Sequence, residues 1–242
     1  MTLTVGSLFS GIGGLDLGLE RAGMEVIWQS EIDPYASKVL KKHWPDVPNL
    51  GDITTIDWTQ VERPDLICGG FPCQDLSSSH TANGGNRRGL DGSKSGLWSY
   101  YREAVDALRP RWVVVENVNQ YQRWVVPVQQ QLSDLGYSSA PIQVPAGSVG
   151  APHIRRRIFL VANPDQDGES VAAVYAKAQE LRPVARPGAG WPAAPPESLR
   201  VDDGVPDRLH RNRALGNAVV PQVAEVIGRI IVESDTATTS TS

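Results

Sequence analysis

The sequence predicts a doubly wound α/β fold: a mostly parallel sheet with helices on both faces, interrupted late by a small irregular insertion. Three observations carry that reading. Residues 5–9, 25–30, 65–68 and 112–116 are short, nearly continuous apolar runs, as expected of strands covered on both faces. Stretches with helical spacing lie between them, and strands alternating with helices favour a parallel sheet. The first run ends in Ser10-Gly11-Ile12-Gly13-Gly14, a glycine turn from strand to helix.

Each element has its own signal. After the glycine turn, Leu15, Leu19 and Ala22 recur at helical spacing, and Gly23 stands where a glycine C-cap belongs. The second strand closes on Glu31, and Pro34 sits near the start of a helix over 34–43, a position proline favours. The third strand leads into Gly69-Gly70-Phe71-Pro72-Cys73-Gln74, and the fourth ends at Glu116-Asn117. Residues 163–206 are rich in Pro, Gly and Ala, with helical character only in 170–181, and read as a small insertion. Val219, Val223, Val226, Ile227 and Ile230 then restore helical spacing. The expected organisation is a catalytic domain over 1–162, the insertion over 163–206, a return to the catalytic domain over 207–232, and a Thr/Ser-rich disordered tail over 233–242.

Bulk properties narrow the function. With 242 residues, 40% hydrophobic and 21% charged, the chain can bury one sizeable core. No apolar run is long enough for a membrane span, and residues 1–9 lack the features of a secretory leader. Cys68 and Cys73 form neither a disulfide framework nor a zinc pattern, so a reducing cytoplasm and no metal are expected. The net charge of -4 argues against a passive nucleic-acid coat, which is usually basic. It leaves room for a transient grip on nucleic acid, because cations cluster at Arg87-Arg88, Arg155-Arg156-Arg157 and between Arg208 and Arg213.

The candidate site residues lie at strand ends, where open α/β sheets bind ligands. The glycine turn lets a ligand approach the backbone and offers amide donors at a helix start. About twenty residues on, Glu31 can bind two ribose hydroxyls, and Asp52 follows a further strand-like segment. The absence of a full GxGxxG leans away from a pyrophosphate-bearing cofactor. Cys73 is a candidate reactive thiol in a glycine-rich setting, whereas Cys68, inside an apolar strand, reads as an inert buried thiol. Glu116, after an apolar run, is a candidate acid able to donate to a base ring.

In order along the chain stand Phe9-Ser10-Gly11-Ile12-Gly13-Gly14, Glu31, Gly51-Asp52-Ile53, Phe71-Pro72-Cys73-Gln74, Glu116-Asn117-Val118, Arg155-Arg156-Arg157 and Gly216-Asn217-Ala218-Val219-Val220. That series resembles the motif ladder of the DNA (cytosine-5) methyltransferases, over roughly 5–162 and 208–232. The resemblance implies a Rossmann-like class I methyltransferase fold, S-adenosyl-L-methionine as methyl donor and double-stranded DNA as partner. It implies that the Cys73 thiolate adds to C6 of a flipped cytosine while Glu116 protonates or hydrogen-bonds N3. Phe9, Gly11, Gly13 and Leu97 would line the donor site, with Glu31 on the ribose and Asp52 and Ile53 near the adenine. Asn217 and Val219 would help close it. Arg155 and Arg157 would steady the flipped base, with Arg156 facing the other way on an extended segment. The loop over 74–96 would close on DNA, with Gln74, Ser77, Arg87, Arg88 and Lys94 as contacts.

The sequence also departs from the family. Asp75 stands where proline is usual, Lys94 and Ser95 lie near a position that is often arginine, and His153 replaces a common glutamine. The recognition region is unusually short, so specificity would rest on a minimal element with Arg186, Trp191 and Arg200, or on a partner protein. The pattern resembles bacterial or phage enzymes, whether or not paired with a restriction nuclease; a cytoplasmic monomer is the expected form. Rival readings are a same-fold RNA methyltransferase, disfavoured by the lack of a Cys-Phe-Thr motif, a non-catalytic DNA-binding relative, and a remote NAD-dependent oxidoreductase.

Overall fold

A computed structural model describes residues 2–72, 95–151, 155–164, 168–180 and 216–239. Six strands form one sheet: β1 (Thr4–Leu8), β2 (Glu25–Ser30), β3 (Leu66–Gly69), β4 (Trp112–Val118), β5 (Ser138–Gln143) and β6 (Arg157–Asn163), in the spatial order β2-β1-β3-β4-β6-β5. The first four pair in parallel, and β6 runs antiparallel to both its neighbours. The chain leaves β1 towards β2 on one side and returns to β3 on the other. That reversal opens a crevice at the carboxyl ends of β1 and β3, the place where such sheets take ligands.

The four apolar runs read from sequence are the parallel strands. The other two strands were not legible. β5 contains Pro141 and is half-exposed over most of its length, as suits an edge strand that can spare one amide.

Helices cover both faces. On one side α1 (Gly14–Arg21), α5 (Glu169–Gln179) and α6 (Pro221–Thr239) bury Leu15, Leu19, Val171, Val174, Val223, Ile227 and Ile231 against Val5, Cys68, Val114, Phe159 and Val161. On the other, α3 (Trp98–Leu108) and α4 (Val126–Asp134) bury Tyr101, Val105, Val128 and Leu132 against Leu8, Ile67, Val113, Val115 and Leu160. Alternate residues of β4 thus feed opposite cores, which explains its unbroken apolar run. Between β2 and the Gly51-Asp52 segment, α2 (Pro34–His43) starts on Asp33, whose carboxylate accepts the Tyr35 and Ala36 amides, both at 2.9 Å.

The α1–α6 contact depends on small residues. A Cβ added at Gly14 would lie 2.5 Å from Val219 O, and one at Gly228 would lie 2.7 Å from the Ala22 Cβ. The segment carrying Val219 is therefore held directly against the start of α1.

Two expectations about chain organisation change. The disorder expected from Glu233 is corrected for residues 233–239, because α6 continues to Thr239. Asp235 is buried there, accepts the Trp112 indole N–H at 2.9 Å and pairs with Arg111 at 2.8 Å. A Thr/Ser-rich composition concealed a carboxylate needed by a buried indole. Residues 168–180, placed in the insertion, form α5 and share the sheet's core. Residues 165–167 and 181–206 of that insertion lie outside the described residues.

Candidate active site

The end of β1 makes the first half of the site. The glycine turn starts on Phe9, at φ 52, and passes through Gly11 at φ 56 and Gly13 at φ 82. Gly13 N–H donates to Ser10 O at 2.9 Å, closing the turn. Space beyond Gly11 is open, with no heavy atom within 4 Å of where a Cβ would stand. Gly11 N–H donates to Glu31 Oε2 at 2.8 Å, and Asp33 N–H donates to Oε1 at 2.7 Å. The structure thus brings Glu31 to the glycine turn, with its carboxylate held by two backbone amides.

A clamp missing from the sequence reading fixes this end of β2. Asn49 Oδ1 accepts the Glu31 amide at 3.0 Å and the Gly51 amide at 3.1 Å, while its Nδ2 donates to Glu31 O at 3.0 Å. Asp52 follows on the surface. Its carboxylate accepts from Thr54 N and Thr54 Oγ1, which lower its pKa from the ordinary value. Ile53 is buried against Trp28 and Trp58 in the second core. Ile32, directly after Glu31, is 67% exposed, an unusual place for a large apolar side chain. Only its exposure singles it out, and sequence alone does not show that.

The ends of β3 and β4 make the second half. Glu116 is buried, and Arg157 Nε lies 3.0 Å from its Oε1. Their strands pair antiparallel, with Glu116 opposite Phe159 and Val118 opposite Arg157. Burial pushes the Glu116 carboxyl up to about 7, against the opposing pull of the Arg157 and Arg155 guanidinium groups. A carboxyl poised near neutrality can deliver or withdraw a proton. Gly70 makes room for it: a Cβ there would lie 2.7 Å from Glu116 Oε2.

The segment that leads towards Cys73 is anchored. Asn117 Nδ2 donates to Phe71 O at 3.0 Å. The Phe71 ring packs edge-on against Trp124, at 6.0 Å and 79°, and tilted against Trp98 at 5.9 Å. Trp124 in turn donates its indole N–H to Val118 O at 2.7 Å. The chain therefore leaves Phe71 and Pro72 in a fixed direction beside Glu116. Cys73, the expected nucleophile, lies outside the described residues, as do Gln74, Ser77, Arg87, Arg88, Lys94, Arg186 and Trp191. Cys68 is fully buried, and burial pushes its thiol well up, which agrees with an inert role.

Arg155 joins the two halves. Its Nη2 donates to Gly216 O at 2.7 Å and Ala218 O at 2.8 Å, and its backbone has φ 27. Arg156 is exposed, whereas Arg155 and Arg157 are not. Of the remaining expected donor-site residues, Leu97 is partly buried at the N-cap of α3, Val219 lies against Gly14, and Asn217 is exposed. Among the described residues no His, Cys, Asp and Glu are grouped so as to hold a metal, and no helix is long and apolar enough to cross a membrane.

Sheet order, glycine turn, strand-end carboxylate and the buried glutamate–arginine pair together define a Rossmann-like, class I methyltransferase architecture. Residues 3–185 match the family described as C-5 cytosine-specific DNA methylase, and the chain belongs to that family. Type II methyltransferase M2.BsuMI of Bacillus subtilis (strain 168) is 38% identical over 178 residues, covering 70% of this chain and 44% of the relative. Type II methyltransferase M.HhaI of Haemophilus parahaemolyticus is 31% identical over 159 residues, covering 64% and 47%. A solved DNA modification methyltransferase from an Escherichia coli prophage superposes with TM-score 0.55 at 29% identity, covering 67% of this chain and 47% of that one. The Entamoeba histolytica methyltransferase EhMeth shares the fold, with TM-score 0.57 at 22% identity over 68% and 53% of the two chains. The chain spans about half the length of the curated relatives it matches.

Proposed function

We propose that this chain transfers a methyl group to C5 of cytosine in double-stranded DNA, with S-adenosyl-L-methionine as donor. One observation carries the reading: a buried glutamate with a near-neutral pKa, paired to arginine beside an anchored Phe71-Pro72 segment, at the crevice of a sheet in this family. The donor fits the first half-site. Open space at Gly11, the Glu31 carboxylate and the exposed Ile32 suit a nucleoside lying across the carboxyl ends of β1 and β2. When bound, the donor supplies an electrophilic methyl on a sulfonium.

The protein's residues make the cytosine receptive. Cytosine C5 is a weak nucleophile, so the Cys73 thiolate adds to C6 and pushes electron density towards C5. That addition builds negative charge on the ring, which Glu116 offsets by holding a proton at N3. Arg157 orients the Glu116 carboxyl, and Arg155 holds the Gly216–Ala218 backbone so that Asn217 and Val219 close the donor side. Methyl transfer releases S-adenosylhomocysteine, and a solvent water then takes the C5 proton. The C5–H electrons re-form the C5=C6 bond as the C6–S bond breaks and the thiolate leaves, and Glu116 takes back the proton it shared with N3. The base must leave the stack, at roughly a few kcal/mol. Gln74, Ser77, Arg87, Arg88 and Lys94 would grip the duplex, and Arg186 and Trp191 would contribute to recognition. The relatives' Type II names favour a restriction–modification setting, with a separate nuclease or specificity partner completing the system.

The test is methyl transfer from labelled S-adenosyl-L-methionine to duplex DNA, read by bisulfite sequencing, for the wild type and Cys73→Ser. Label in 5-methylcytosine at a fixed motif, lost on substitution, supports the reading. Donor binding without transfer to DNA, but with transfer to RNA, would replace the substrate.

A further inference from the structure

Among the described residues, the catalytic reading leaves the fully buried Asp16 carboxylate without a task. Asp16, in the first turn of α1, is fully buried directly behind the glycine turn. Its Oδ2 accepts the Ser7 hydroxyl of β1 at 3.0 Å, and its Oδ1 accepts Gln29 Nε2 of β2 at 2.8 Å. Ser7 Oγ in turn accepts the Ser10 hydroxyl at 2.9 Å, and Ser10 is the first residue of the turn after Phe9. Ser7, Ser10 and Gln29 are themselves buried. Hydrogen bonds therefore converge on the carboxylate, from the donor turn through β1 on one side and from β2 on the other.

Both ends of this network matter for the site. At one end Ser10 opens the turn and accepts the Gly13 amide that closes it. At the other, Gln29 lies two positions before Glu31, and its backbone holds the neighbouring segment through Pro48 O and the Leu50 amide. Mere filling of space does not require an acid here. Burial raises the Asp16 carboxyl to about 6, which marks its ionised form as costly. An apolar residue of similar size would avoid that cost, but would leave Ser7 and Gln29 without an acceptor.

We propose that Asp16 is a positioning residue for the donor site, fixing the glycine turn through Ser7 and Ser10 and the Glu31-bearing end of β2 through Gln29. It sets the spacing between the two elements that grip the donor and touches no reacting atom. The proposal rests on the donor-site reading above.

The experiment is calorimetric binding of S-adenosylhomocysteine, the demethylated donor, to wild type, Asp16→Asn and Ser7→Ala, with duplex DNA binding measured in parallel. Asp16→Asn keeps shape but offers one acceptor atom where two are used. Ser7→Ala breaks the link to the turn and leaves the carboxylate paired to Gln29. Both should weaken nucleoside binding about tenfold, the size expected for about one hydrogen bond, with DNA affinity within about twofold. In turnover, the donor KM should rise while kcat at saturating donor stays near wild type. Wild-type nucleoside affinity in folded Ser7→Ala and Asp16→Asn would overturn the positioning role. A wild type that binds no nucleoside would instead overturn the donor-site reading itself.

Discussion

Arg157 Nε stands 3.0 Å from Glu116 Oε1, across the antiparallel β4–β6 pair and at the buried edge of the crevice. That relationship holds a carboxyl in place while its burial keeps a proton available near neutral pH. Glu116→Gln keeps the shape and removes the exchangeable proton. Turnover should fall by about 10²- to 10⁴-fold, with S-adenosylhomocysteine affinity within about threefold. Steady-state kinetics and calorimetry on the same preparation check both halves.

The same carboxyl makes a pH prediction whose sign follows from its shift. Glu116 binds its proton more tightly in the folded chain, at about 7, than at the ordinary value of 4.5. Its ionisation therefore costs stability progressively as pH climbs through that window, and the loss is complete above it. Relative to Glu116→Gln, the wild type should lose stability between pH 4.5 and pH 7. Urea unfolding of both proteins across that range measures the difference; a constant difference would contradict the buried, proton-retaining environment.

Gly70 tests the geometry from the other direction. A Cβ at this position would lie 2.7 Å from Glu116 Oε2, so Gly70→Ala must displace the carboxyl or the loop leading to Cys73. The expected result is a folded protein with intact donor binding and a kcat lowered by at least about tenfold, since small misplacements of reacting groups are costly. Wild-type kcat in Gly70→Ala would show that Glu116 need not stay where it is.

Arg155 predicts a different split. Its two bonds to Gly216 O and Ala218 O hold the segment that presents Asn217 and Val219. Arg155→Ala should weaken donor binding about tenfold or more, given the strength of charge-assisted hydrogen bonds. Arg157→Ala should act mainly on kcat. Donor titrations of the two variants separate these roles.

The legible part of the fold was the part written in side-chain periodicity. The β4 run of valines feeds two cores at once, and the Asp33-Pro34 start of α2 carries its own cap. Glu31 and Glu116 were legible because a carboxylate closing an apolar strand is chemically conspicuous. What escaped was written in backbone contacts. Asn49 clamps amides and a carbonyl, Arg155 reaches carbonyls far along the chain, and β5 hides behind Pro141 and Ser138. Asp16 escaped because an acid in a first helical turn usually faces solvent, whereas this one is fully buried.

Asp235 carries the stability counterpart. It is the acceptor for the buried Trp112 indole and the partner of Arg111. Asp235→Ala should cost about 2 kcal/mol, the range for leaving a buried donor unsatisfied, with a lower urea midpoint and unchanged donor affinity. Deleting residues from Glu233 onward should reproduce that loss, because the polar end of α6 is part of the packed structure.

The central claim is covalent: the Cys73 sulfur bonds to C6 of the target base. The most direct measurement uses a duplex in which the target cytosine carries fluorine at C5, incubated with S-adenosyl-L-methionine. After methyl transfer no C5 proton remains to be removed, so the thiolate cannot be expelled. The account predicts a denaturant-stable protein–DNA adduct whose mass spectrum places the modified nucleotide on Cys73, absent in Cys73→Ser. Methylation of ordinary duplex by the same preparation, with no adduct or with one mapped elsewhere, would contradict it.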